Sequence, residues 1–98
     1  MPRNRIERIR KKMRKRQFDM SAHAMEEMAE DRLDIEDVEC AILNGRLTSI
    51  QKGDPRGTKY VIQGSAVDGE THIGVVGRFS SADRYVIITV YQITDPEE

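Results

Sequence analysis

Tyr85-Val86-Ile87-Ile88-Thr89-Val90-Tyr91-Gln92-Ile93 is the stretch that decides the fold. Six of its nine residues are β-branched, a composition that crowds a helix and fits a pleated sheet. Extended over 84–94 it predicts a strand apolar enough to be central and covered on both faces for much of its length. Working back from it, Ser80-Ser81-Ala82-Asp83 is a turn and 70–79 is a strand. Gly64–Gly69, ending in Asp68-Gly69, is a hairpin turn, and 58–63 is a further strand. Gly53-Asp54-Pro55-Arg56-Gly57 is a dense turn signal. In the strand at 46–52, Leu47 and Ile50 break strict alternation, which predicts a bulge or an edge position. Short connections favour pairing of neighbours, so these four strands are expected to form an antiparallel meander.

Before Gly45 the apolar period becomes helical. Over 35–44, Ile35, Val38, Ala41 and Ile42 form a buried stripe. Asp34 is the expected N-cap, Asp37 lies in the first turn, and Asn44-Gly45 is the stop, with Gly45 expected in the left-handed conformation. Over 22–32, Ser21 is the cap and Ala24, Met25 and Met28 the inward face, while His23 falls with Glu26, Glu27 and Glu30. Over 3–16, Ile6, Ile9 and Met13 make a narrow apolar stripe on an otherwise basic helix. Phe18 and Met20 read as an apolar connection, and 95–98 as a frayed tail. The expected fold is α+β: about three N-terminal helices packed on one face of a four-stranded antiparallel sheet, the other face partly open and suited to a binding site. Residues 1–17 read as a basic helix or arm, and 18–98 as a single α+β domain.

At 98 residues the chain has room for one core. No run of eighteen apolar residues exists, so no membrane span is expected, and the basic N-terminus lacks the apolar stretch of a signal peptide. Cys40 is the single cysteine, which fits a reducing cytoplasm, and it reads as a small half-buried thiol. The net charge of −1 conceals a strong segregation. Residues 1–18 hold nine Lys/Arg and one Glu, and residues 19–39 hold nine Asp/Glu and one Arg. A basic block of this density contacts nucleic acid, an anionic surface or an acidic partner; alternatively it folds onto the acidic helix beside it or stays solvated. A homodimer with each basic helix on the partner's acidic one is a third arrangement.

Two histidines are present, His23 and His72. Cleaving a phosphodiester without metal needs a general base for the ribose 2′-hydroxyl, a general acid for the leaving oxygen, and cations for the phosphorane charge. Histidine with Tyr, Lys or Arg can supply that set near neutral pH. Alternation puts His72, Gly74, Val76 and Arg78 on one strand face. In the next strand it groups Tyr85, Ile87, Thr89, Tyr91 and Ile93. The other reading of His72 is an ordinary surface or half-buried histidine, and of His23 a surface residue paired with Glu27 one turn later. Arg56 in its turn either binds phosphate or is simply solvated. His23 and Glu27 could both face a cation, but no second Cys or His cluster completes a site, so neither metal nor cofactor is expected. No glycine-rich phosphate loop, nucleophile elbow, RNA-recognition signature or zinc finger occurs.

The ordered motifs Phe18-x-Met20-Ser21-x-His23-Ala24-x-x-x-Met28, Ile35-x-x-x-x-x-Ala41-Ile42-Leu43-Asn44-Gly45, Asp54-Pro55-Arg56-Gly57-x-x-Tyr60, Thr71-His72-Ile73 and Ile88-Thr89-Val90-Tyr91 resemble domain-of-unknown-function family 4258. The resemblance covers about residues 17–94. Members of that family look similar to the RelE and BrnT group of ribonuclease toxins, a helix-plus-antiparallel-sheet fold. The resemblance implies a metal-independent endoribonuclease that cuts messenger RNA and is held inactive by an antitoxin protein. His23, His72, Thr89 and Tyr91 match the family pattern and Arg56 its turn, whereas Arg78 comes from strand alternation alone. On this reading His23 or His72 is base or acid, Tyr91 orients, and Arg56, Arg78 and Thr89 bind substrate. The arginine in the family's His-Ala-x-x-Arg-Met pattern is Glu27 here, with Arg32 a turn later.

Overall fold

A computed structural model describes residues 5–94. The first helix, α1, spans Arg5–Arg14, followed by strand β1 at Phe18–Met20. Helices α2 (Ala22–Glu30) and α3 (Ile35–Asn44) come next. Four more strands close the chain: β2 (Arg46–Gln51), β3 (Lys59–Ser65), β4 (His72–Phe79) and β5 (Tyr85–Ile93). The predicted helix start at Arg3 and the tail at 95–98 lie outside the described residues.

The caps form as their sequences dictate. Ser21 Oγ accepts from the Ala24 N–H at 3.0 Å. Asp34 and Asp37 make a reciprocal capping box, each carboxylate taking the other's backbone N–H. Gly45 departs from expectation: its φ is −89°, extended rather than left-handed. Glycine is needed there because a Cβ would run into the backbone carbonyls of Gln63 and Ala41. That close approach seats the end of α3 against β3.

The sheet has five strands in the order β1-β5-β4-β3-β2, and β1 runs parallel to β5. This corrects the four-stranded antiparallel expectation. Phe18–Met20 is a strand, not a connection, and it pairs with Tyr85–Ile87. Three residues are too few to show a period, and a parallel pair joined through two helices leaves no turn signature. The middle strand is β4, with β5 one place nearer the β1 edge. The expected irregularity in β2 is present: it is an edge strand whose register shifts between Leu47 and Ser49.

A second bulge decides what the sheet can do. The β4–β5 register shifts so that Val76 opposes Thr89 while Gly77 opposes Ile87, leaving Ile88 as an extra residue. Simple alternation would keep Tyr85, Ile87, Thr89 and Tyr91 together. Instead Tyr85, Ile87 and Val90 join the core under the helices, while Thr89 and Tyr91 face the other way.

That core collects Ile9 and Met13 of α1, Ala24 and Met28 of α2, and Val38, Ala41 and Ile42 of α3 against Ile62, Ile73, Val75, Tyr85, Ile87 and Val90. Met25, expected inside, is 53% exposed, because the helix turns it away from Ala24 and Met28. The basic helix is anchored by more than its apolar stripe. Arg10 is largely buried and donates to the carbonyls of Ile42 (3.0 Å) and Gly45 (2.7 Å), closing the C-terminal end of α3. Arg8 and Lys12 both pair with Asp83 in the β4–β5 turn, at 3.1 and 3.0 Å, and hold its carboxyl below the usual range. Arg16 reaches Glu39 of α3 at 3.2 Å.

Candidate functional site on the open sheet face

The pleat sends one set of side chains to the face without helices, and the register arranges them in rows. Ser65, His72 and Ile93 form the first row, and Arg46, Gln63, Gly74 and Tyr91 the second. Ser49, Val61, Val76 and Thr89 make the third. Beyond them lie Lys59, and Arg78 opposite Val86.

The first two rows build the candidate site. Arg46, Gln63, Ser65 and His72, with the backbone of Gly45 and Gly64, line a depression of about 330 Å³ where β3 runs past the start of β2. A neighbouring hollow of about 270 Å³ extends it toward Ile93. Tyr91 shares the second row, and its ring lies across Gly74, where any Cβ would strike the ring and hydroxyl. A tyrosine over a cross-strand glycine is held flat on the sheet with its hydroxyl at the surface. His72 is set by the turn before it. Asp68 accepts from the N–H groups of Glu70 and Thr71 at 2.8 Å and from Thr71 Oγ1 at 2.7 Å. The Thr71 backbone N–H is the main cause of the lowered Asp68 carboxyl pKa, with nearby His72 contributing least.

The other histidine occupies a different place. His23 Nε2 lies 3.2 Å from Glu27 Oε2, and Glu27 Oε1 accepts from the Val90 N–H at 2.8 Å. Val90 sits on β5 between Thr89 and Tyr91, so this pair docks at the sheet edge behind the open face. The edge is sealed there: Ser21 donates through its N–H to Ile87 O (2.9 Å) and through Oγ to Ile88 O (3.1 Å). Glu27 therefore completes the strand edge.

His72 and Tyr91 are diagonal neighbours, a spacing of about 7–8 Å between Cα atoms. Thr89 is one row further on. Arg78 shares the face but stands six residues along β4 from His72, roughly 20 Å. Arg56 lies in the β2–β3 turn at the opposite end of β3 from Ser65 and His72, where Asp54 accepts from its N–H at 2.8 Å. Both arginines therefore stand at the other end of the sheet from His72. Arg46, Gln63 and Ser65 were not singled out from the sequence. Alternation through Lys59, Val61, Gln63 and Ser65 carries a signal for two of them, since Gln63 is the polar break after Tyr60-Val61-Ile62.

Among the described residues, Arg46, Gln63, His72 and Tyr91 have no side-chain hydrogen bond or ion pair, so their polar groups remain available to a ligand. No group of three or more His, Cys, Asp or Glu suited to a metal occurs among the described residues. No helix among them is long and apolar enough to cross a membrane.

No curated protein and no solved structure matches the chain. One family does, over residues 20–92, a span that runs from the end of β1 nearly to the end of β5 and holds every residue of the depression. Helix α1 is outside it. By that match the chain belongs to the family Domain of unknown function (DUF4258).

Proposed function

We propose that the open face is the active site of a metal-independent endoribonuclease, of the toxin-like kind that the RelE and BrnT resemblance implies. The observation that carries this reading is the set Arg46, Gln63 and His72, without side-chain partners among the described residues, around one depression on a helix-free sheet face, with Tyr91 in the same cross-strand row as Arg46 and Gln63. His72 takes the proton of a ribose 2′-hydroxyl. The O2′–P bond forms as the P–O5′ bond breaks, and the Tyr91 hydroxyl returns a proton to O5′. Arg46 and Gln63 hold the non-bridging oxygens, on which the phosphorane charge collects. The products are a 2′,3′-cyclic phosphate end and a 5′-hydroxyl end. On this reading Thr89 contacts the adjoining ribose, and the His23–Glu27 pair steadies the β5 edge. An antitoxin protein is the proposed partner that covers the face.

The test is RNA incubated with the purified protein in the presence of a chelator, with termini analysed chemically. Cleavage to cyclic-phosphate ends is expected, with His72→Ala slower by about 100-fold or more. Because His72 is exposed, the same variant is expected to keep its folding stability within about 0.5 kcal/mol of the parent. Intact RNA, or equal cleavage by His72→Ala, sinks the proposal.

A non-catalytic binding module is the second reading, favoured by the solvent side of α1. There Arg5, Lys11, Arg14 and Lys15 are exposed and make no ion pair among the described residues. It predicts a stable, strongly salt-dependent RNA complex in which the RNA stays intact.

A further inference from the structure

Resting on the ribonuclease reading, we infer that the open face takes single-stranded RNA extended along β4, with a second phosphate site at Arg78 distinct from the one at Arg46 and His72. Charge at the two ends of the face supports this. At the far end Arg84 is occupied by Asp19 (2.8 Å), and Asp54 is shared by Lys59 (3.4 Å) and Arg56 (3.5 Å). The carboxyls of Asp19 and Asp54 are both held below their usual range, Asp19 first by the Arg84 hydrogen bond and Asp54 first by the Arg56 N–H. Arg78, half-buried on the same face, has no ion pair or hydrogen bond among the described residues. It is a surplus cation on the open face at that end, as Arg46 is at the other.

Between the two ends the floor changes character. Val61, Val76 and Thr89 form a row with little charge, suited to the sugar and base surfaces of a bound strand. Successive rows on the face are two residues apart, about 7 Å. A stacked strand advances only about 3.4 Å per nucleotide, so only an unstacked one places consecutive nucleotides on consecutive rows. A sheet face with an unpaired arginine toward each end therefore selects extended single strands over duplex. Its length sets a footprint of about four nucleotides, the low end of single-strand site sizes.

The experiment measures binding of non-cleavable 2′-O-methyl RNA oligonucleotides, from about two to about eight nucleotides long, by fluorescence anisotropy. Affinity is expected to rise in a step once the oligonucleotide spans about four nucleotides. Arg78→Ala and Arg78→Gln, both confirmed folded by melting, are expected to remove the step. They should also lower the salt slope by roughly 0.7 for long oligonucleotides and leave it unchanged for the shortest. Arg14→Ala on the outer side of α1 should leave the step in place. A smooth length dependence, a step that survives both Arg78 variants, equal affinity for duplex, or no binding at any length overturns the inference. A step without RNA cleavage in the chelator assay would keep the strand track and discard the ribonuclease. Cleavage that depends on His72, with no Arg78-dependent step, would do the reverse.

Discussion

Tyr85 and Tyr91 stand six residues apart on one strand, and each lies across a glycine of β4, Tyr85 over Gly77 and Tyr91 over Gly74. Even spacing should put both rings on one face. The extra residue Ile88 between them turns the second ring over. Tyr85 is fully buried, packed edge-to-face against Phe79 at 5.3 Å, whereas Tyr91 lies half-buried on the open face. The same side chain on the same kind of glycine is core in one case and candidate chemistry in the other, and one backbone irregularity separates them.

Inserting one alanine between Val76 and Gly77 of β4, opposite the extra residue Ile88, attacks that comparison most directly and has the largest expected effect. It restores strict alternation, which asks either the Thr89–Ile93 half or the Tyr85–Ile87 half of β5 to change faces. Val90 would leave the core, or Tyr85 and Ile87 would. Loss of the cooperative thermal transition is expected in circular dichroism. An insertion variant that melts within a few degrees of the parent would show that the bulge does not set the two faces.

Glu27→Ala probes the edge that holds the second half of β5 in place. It strands the Val90 N–H without an acceptor and frees His23. A cost of about 1–3 kcal/mol is expected from an unsatisfied, half-buried amide. In a domain of this size that lowers the melting midpoint by roughly 4–8 °C per kcal/mol. His23→Ala, at a side chain 65% exposed, should cost less than about 0.5 kcal/mol. Equal losses for the two variants would mean that the His23–Glu27 pair, rather than the Val90 bond, stabilises the edge.

Much of the helical layer was legible because its signals are local. Ser21 and Asp34 are caps whose partners lie three residues away, and Val38, Ala41 and Ile42 repeat at helical spacing. The irregularity in β2 was legible too, since Leu47 and Ile50 cannot share a face by alternation. What escaped depended on pairing between distant residues. The pairing of β1 with β5 joins Phe18 to Tyr85, and Asp19 is fixed there by Arg84 on the other side of the whole chain. The bulge at Ile88 sits in an unbroken apolar run, where every residue suits either face. The site was half legible for the same reason. Alternation placed His72 and Arg78 on one face but could not supply the roughly 20 Å between them as a functional limit. Arg46 reaches the site only because Gly45 lets the end of α3 close on β3.

The smallest expected effect is also the sharpest test of the two tyrosines. The Tyr85 hydroxyl is buried and has no hydrogen-bond partner among the described residues, and burial is the main cause of its raised pKa, with Tyr60 adding to it. A buried polar group without a partner costs about 1–3 kcal/mol, so removing it while keeping the ring should stabilise the fold. Tyr85→Phe is expected to raise the melting midpoint by an amount equivalent to about 1 kcal/mol, roughly 4–8 °C, and to leave RNA cleavage unchanged. Tyr91→Phe should do the opposite, keeping the midpoint and slowing cleavage, because its hydroxyl is open to solvent and has no packing role to lose. If Tyr85→Phe lowers the midpoint instead, its hydroxyl has a bound partner in solution. The contrast between a core tyrosine and a working one would then have to rest on Tyr91 alone.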